Sequence, residues 1–156
     1  MPVETLKREE VFEFLRPDQV DALSSAAEVV KPKAGEFIYF RGEPADSLYV
    51  LLSGQVSLRM PGKAGVSILI DELNEKGTMF GSSLSFRIGA YATTAQCIED
   101  SELLKASTAT LKRLLEDDPR MGYAVQSKIS EIYFKRYLEA VKKLQAIVMN
   151  IPLEQD

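Results

Sequence analysis

Lys33-Ala34-Gly35-Glu36-Phe37-Ile38-Tyr39-Phe40-Arg41-Gly42-Glu43-Pro44-Ala45-Asp46-Ser47-Leu48-Tyr49-Val50-Leu51-Leu52-Ser53-Gly54 reads as two short strands parted by a turn. Glu36 to Phe40 is rich in aromatic and β-branched side chains, and Arg41-Gly42-Glu43-Pro44 interrupts it with turn residues. Leu48 to Leu52 is a continuous apolar run of strand length, closed by Ser53-Gly54. The same rhythm continues outward. Gln55 to Met60 alternates apolar and polar residues, Pro61 to Gly65 is a loop, and Val66 to Ile70 reads as a buried strand. Ala92 to Cys97 and Ser101 to Lys105 complete the series. Many short strands at turn spacing predict a sandwich, jelly roll or barrel.

Helical periods lie on both sides. From Lys7 to Val29, apolar residues at Val11, Phe12, Phe14, Leu15, Val20, Leu23, Ala26 and Ala27 predict a two-piece helical lead-in. Pro17 opens its second piece, because proline is tolerated in the first turn. From Thr108, the residues Leu111, Leu114 and Leu115 mark a short helix that stops at Asp118-Pro119. A long amphipathic helix then runs from Met121 to about Met149. Val125, Ile129, Ile132, Phe134, Leu138, Val141, Leu144 and Val148 form a stripe close to a heptad seam. At roughly 28 residues it is about 42 Å long, more than a small barrel covers, so a homodimer through 121–149 is expected. The organisation expected is a helical lead-in at 1–30, a β core at 31–106 and C-terminal helices at 107–156.

Composition narrows the function. The chain has 156 residues, 46% of them hydrophobic and 27% charged, as an ordinary globular domain has. Its net charge of −4, with signs interspersed, lacks the basic footprint of nucleic-acid binding. The first ten residues carry no apolar core, and the longest apolar runs are too short to span a bilayer, so neither a signal peptide nor a membrane span is expected. A single cysteine, Cys97, suits a reducing compartment and a role as a small apolar filler, and a cytoplasmic protein is expected. There is no histidine, which removes the commonest general base and metal ligand together. Glu72 with Glu75, and Glu116-Asp117-Asp118, read as loop charges and a helix terminus. Catalytic and metal sites are therefore not expected, a cupin-like metalloenzyme included.

Lys33 to Gly54 as quoted, followed in order by Gly77, Phe80-Gly81 and Ile98-Glu99-Asp100-Ser101-Glu102-Leu103-Leu104, resembles the cyclic nucleotide-binding family, in particular its catabolite activator protein-like sensory domains. The resemblance runs from about Val11 to the last helix. It implies an α+β protein whose antiparallel β jelly roll (a double-stranded β-helix) is flanked by N-terminal helices and a long C-terminal helix. It also implies a regulatory domain that binds a small anionic ligand, with cAMP or cGMP as the candidate and no other cofactor. Members that regulate transcription carry a helix-turn-helix domain after the long helix; this sequence ends at Asp156, so no direct nucleic-acid contact is expected and the chain reads as a stand-alone sensor or a fragment.

In that family a phosphate-binding cassette opens with Gly-Glu-Leu and closes near Arg-Ala-Ala-Thr-Val; its glutamate accepts from the ribose and its arginine pairs with the cyclic phosphate. The corresponding stretch here is 80–95. Gly81, Ala92 and Thr94 match, whereas Ser82 stands at the glutamate position and Tyr91 at the arginine position. Losing a bidentate arginine–phosphate pair costs about 2–5 kcal/mol, on the order of thirty- to several-thousand-fold in affinity. The residues implied to line a ligand site are Gly81, Ser82, Ser83, Leu84, Arg87, Tyr91, Ala92 and Thr93. Arg87 either swings onto a phosphate or is a loop arginine, and amides and hydroxyls at Ser82 and Ser83 offer an anion cradle. Tyr91 either stacks on a base, donates to a phosphate or closes the pocket. Arg136 and Tyr137 fall where the long helix caps the base, or else are a solvated arginine and a seam tyrosine. Two functions follow: a sensor signalling through its C-terminal helix, or a dimerisation and protein-interaction module with a degenerate pocket.

Overall fold

Pro17 opens helix α1, Pro17–Ser25, in a computed structural model that describes residues 12–81 and 89–149. The Gln19 side chain accepts from the Arg16 amide at 2.8 Å, satisfying a donor at the helix start, and Val20 and Leu23 point into the core. The first helical piece expected before Pro17 lies mostly outside the described residues; Phe12 to Leu15 form a turn closed by Leu15 N–H on the Phe12 carbonyl. The helical reading also ends early, since Ala27–Val30 is strand β1 rather than helix. It pairs antiparallel with a distant strand from Ala27↔Ala106 to Val30↔Leu103, and that ladder overrides the helical spacing of Ala26 and Ala27.

The strands that follow are β2 (Phe37–Tyr39), β3 (Ser47–Ser53), β4 (Val56–Pro61), β5 (Ser67–Leu73), β6 (Met79–Phe80), β7 (Thr94–Cys97) and β8 (Glu102–Ser107). Helix α2 (Thr108–Asp117) and helix α3 (Pro119–Met149) close the chain. Two four-stranded antiparallel sheets form, ordered β1-β8-β3-β6 and β2-β7-β4-β5, and the expected jelly roll with flanking helices is borne out. The short strand β6 was not read from the sequence.

The first sheet is buried on both faces, which is why β3 reads as an unbroken apolar run. Leu48 and Val50 face the helices with Leu104, Ala106, Leu111, Leu115, Met121, Val125 and Ile129. Tyr49 and Leu51 face the other way, into the roll, with Val56, Leu58, Phe80, Ala95, Cys97 and Leu103. Cys97 is buried there, and burial pushes its thiol pKa up. Val66 to Ile70, expected to be a buried strand, proves largely exposed: Val66 is 64%, Ile68 60% and Leu69 43% exposed. Strand β5 is the edge of its sheet, and an apolar run of that length does not tell an edge strand from a central one.

The α2–α3 corner is built on Asp118. Its side chain accepts from the Met121 amide at 3.2 Å, from Arg16 Nη1 at 2.8 Å and from Gln19 Nε2 at 3.1 Å, so α1 is tied to the start of α3. Gly122 sits against the end of α2, where a Cβ would lie 2.5 Å from the Leu115 carbonyl oxygen. Helix α3 has 31 residues, about 46 Å at 1.5 Å per residue. Strand β3 spans about 23 Å. The helix therefore outruns the roll. Its buried residues end at Ile129, and beyond Arg136 its apolar stripe is exposed, from Tyr137 and Leu138 through Val141 and Leu144 to Val148.

Candidate ligand-binding site

Strand β6 carries the chain from Met79 and Phe80 into Gly81. Phe80 is fully buried and stacks on Tyr49, with ring centroids 5.5 Å apart. Gly81 has φ +74°, a left-handed conformation that favours glycine, and it is hemmed in by rings. A Cβ there would meet Tyr39 at 3.0 Å, Tyr49 at 3.1 Å and Tyr91 at 3.5 Å. On the far side of 82–88, the chain returns through the bridge Pro44↔Ala90 and runs into β7.

Tyr91 is the best-defined residue of this return. Its amide donates to the Glu43 carbonyl and its own carbonyl accepts from the Gly42 amide, which fixes its backbone on the Arg41–Asp46 loop. The side chain turns inward and is 8% exposed. Its ring stacks on Tyr39 at 3.8 Å and 12°, a close parallel contact. Its hydroxyl donates to the Ser47 carbonyl at 2.7 Å and accepts from the Ser47 amide at 3.3 Å. Burial pushes the Tyr91 phenol pKa up, with the hydrogen bond to Ser47 partly opposing it. Burial also lifts Tyr39 and Tyr49 well above the usual phenol range, so all three stay neutral near pH 7.

Of the other expected site residues, Thr93 is half-buried beside Tyr39, whereas Ala92 is exposed. Ser82, Ser83, Leu84 and Arg87 lie outside the described residues. Arg136 is half-buried on α3; it donates from Nη2 to the Met79 carbonyl, and its guanidinium lies 5.2 Å from the Tyr133 ring centroid. Tyr137 is not brought to the roll: it is 61% exposed and pairs with the Phe134 ring at 6.1 Å. Gly81, Tyr91, Thr93 and Arg136 thus gather around Tyr39. Tyr39, Tyr49 and Ser47 were missed as site residues; the inward alternation of Tyr39 and Tyr49 within their strands was the available signal, and nothing in the sequence marked Ser47. Among the described residues, no three His, Cys, Asp or Glu side chains gather to hold a metal. No described helix is long and apolar enough to cross a membrane.

A jelly roll whose strand β6 enters a glycine turn under a long C-terminal helix defines a class of ligand-responsive regulatory domains. The sequence agrees: residues 29–118 match the family model "Cyclic nucleotide-binding domain", and the chain belongs to that family. It is 25% identical over 119 residues to the CRP-like cAMP-activated global transcriptional regulator of Mycobacterium tuberculosis, a match covering 76% of this chain and 53% of that protein. The chain therefore spans about half the length of this curated relative. Lysophospholipase nte1 of Aspergillus terreus is 24% identical over 91% of this chain, but the match covers only 9% of that enzyme. The structure of DNR from Pseudomonas aeruginosa superposes with a TM-score of 0.74 at 25% identity, over 97% of this chain and 72% of that one. The cAMP complex of the regulatory domain of Toxoplasma gondii PKA shares the fold, with a TM-score of 0.70 at 17% identity over 86% of this chain and 49% of that one. The fold is that of a regulatory sensor domain, a family of binding rather than catalytic modules.

Proposed function

We propose that the chain is a ligand-sensing module with a divergent phosphate-binding cassette, which signals through α3. The observation that carries this is the bond from Arg136 to the Met79 carbonyl. It ties the output helix to the strand that enters the cassette, two residues before Gly81. A ligand that shifts 81–91 moves the acceptor of that bond and so biases α3, provided it binds one arrangement better than the other. The exposed stripe from Phe134 to Val148 carries the output by pairing with a second copy of the chain. The M. tuberculosis relative is named for activation by cAMP, which makes cAMP the first ligand to try.

The packing of Tyr91 favours a second reading, a dimerisation module with a closed pocket, because the ring fills space inside the roll. Calorimetric titration with cAMP, cGMP and cyclic dinucleotides, beside a spin label on α3 near Leu144, separates the two. Saturable binding that changes the label's mobility supports the sensor. No heat with any nucleotide supports the closed module, and binding that leaves α3 unmoved argues against both readings.

A further inference from the structure

We propose that Tyr91 is the residue that decides what this site admits: its ring holds the roll shut, and a ligand enters only as that ring leaves Tyr39 and Ser47. The proposal deepens the sensor reading and rests on it.

Three observations carry it. The ring belongs to an aromatic cluster centred on Tyr39, on which it stacks at 3.8 Å, and Tyr39 in turn packs against Tyr49 and Phe80. The cluster is closely packed beside Gly81, where an added methyl would lie 3.0 Å from Tyr39 and 3.1 Å from Tyr49. The Tyr91 hydroxyl uses both its donor and an acceptor position on the Ser47 backbone, leaving little for a ligand to claim.

The backbone of residue 91 is pinned by its bonds to Gly42 and Glu43, so the side chain opens by swinging about its own bonds or not at all. The charged groups acting on this phenol are the carboxylates of Asp46 and Glu43, neither of which welcomes an anion. An anionic ligand therefore competes with Tyr91 for the same room. What opens the site has to replace a stacked ring and a two-way hydrogen bond.

The test uses Tyr91→Ala and Tyr91→Phe with cAMP as the probe, followed by calorimetry. The stack and the hydroxyl bridge that a ligand no longer has to break set the expected gain at roughly tenfold in Tyr91→Ala. Tyr91→Phe keeps the ring and should stay within about threefold of the parent chain. p-Cresol should refill the space in Tyr91→Ala, raising its melting temperature and weakening its cAMP binding, with no effect on the parent. Equal or weaker cAMP affinity in Tyr91→Ala, absence of binding to both chains included, overturns the proposal, as does p-cresol that leaves Tyr91→Ala unchanged. The sensor reading fails separately, when bound nucleotide leaves α3 unmoved.

Discussion

Arg136 reaches from the long helix to the backbone carbonyl of Met79, the residue that starts the short strand leading into Gly81. A charged donor on a backbone acceptor at a half-buried site contributes about 1.5–3 kcal/mol, and the contact with the Tyr133 ring adds about 0.5–1 kcal/mol. Arg136→Ala should lower the unfolding free energy by about 1–3 kcal/mol. Hydrogen exchange at Met79 and Phe80 should speed up more than at the central strand β8. Uniform exchange across both strands would show that the bond does not anchor β6.

Tyr91→Phe removes only the hydroxyl that bridges both backbone groups of Ser47. A buried carbonyl left without its donor costs about 1–3 kcal/mol. A urea melt should show a fall of that size with an unchanged m-value, since the surface exposed on unfolding is the same.

Two of the crowded glycines, Gly81 and Gly122, respond to different strains. Gly122→Ala forces a methyl against the Leu115 backbone, which cannot swing aside, and overpacking of this kind costs about 1–3 kcal/mol. Gly81→Ala meets flexible rings but also carries φ +74°, costing about 1–2 kcal/mol for the backbone alone. Thermal melts should rank both below the parent. Only Gly81→Ala should alter the near-ultraviolet circular dichroism of the tyrosine cluster.

Acid should loosen the α1–α3 corner. The backbone amide of Met121 and the side chains of Gln19 and Arg16 hold the Asp118 carboxyl below its usual pKa. A carboxylate with a depressed folded pKa stabilises the fold above the unfolded value, about 3.9 for an ordinary aspartate, and that contribution disappears as pH falls through the folded value. Asp118→Asn should flatten the loss of stability below about pH 4 while leaving the slope from pH 5 to 8 unchanged. Denaturant melts of both chains across that range measure it.

The distal stripe of α3 should drive self-association. Leu144 is 61% exposed, so Leu144→Glu removes apolar surface without touching the core. Sedimentation should show the parent as a dimer and the variant as a monomer, with monomer stability within about 0.5 kcal/mol of unperturbed surface values. A parent chain that sediments as a monomer would rule out the pairing.

Strand runs between turn residues, the proline at the start of α1 and the three-and-four spacing of α2 and α3 were all legible, because they are local properties of the backbone and of alternating faces. Ala27–Val30 and Met79–Phe80 were not, since each is a strand only by virtue of a partner more than twenty residues away. The apolar run Val66 to Ile70 misled for a related reason: hydrophobicity records what a segment could bury, and only the sheet order reveals that β5 has no neighbour beyond it among the described residues.

The site divides along the same line. The sequence by itself determined the class of fold, the glycine turn at Gly81 and the tyrosine at position 91. Only the tertiary structure decided that Tyr91 turns inward onto Tyr39 and Ser47, that Arg136 faces β6, and that Tyr137 faces away. The direction of a side chain is settled by which surface lies opposite it, and those surfaces come from segments 44 to 57 residues distant in the chain.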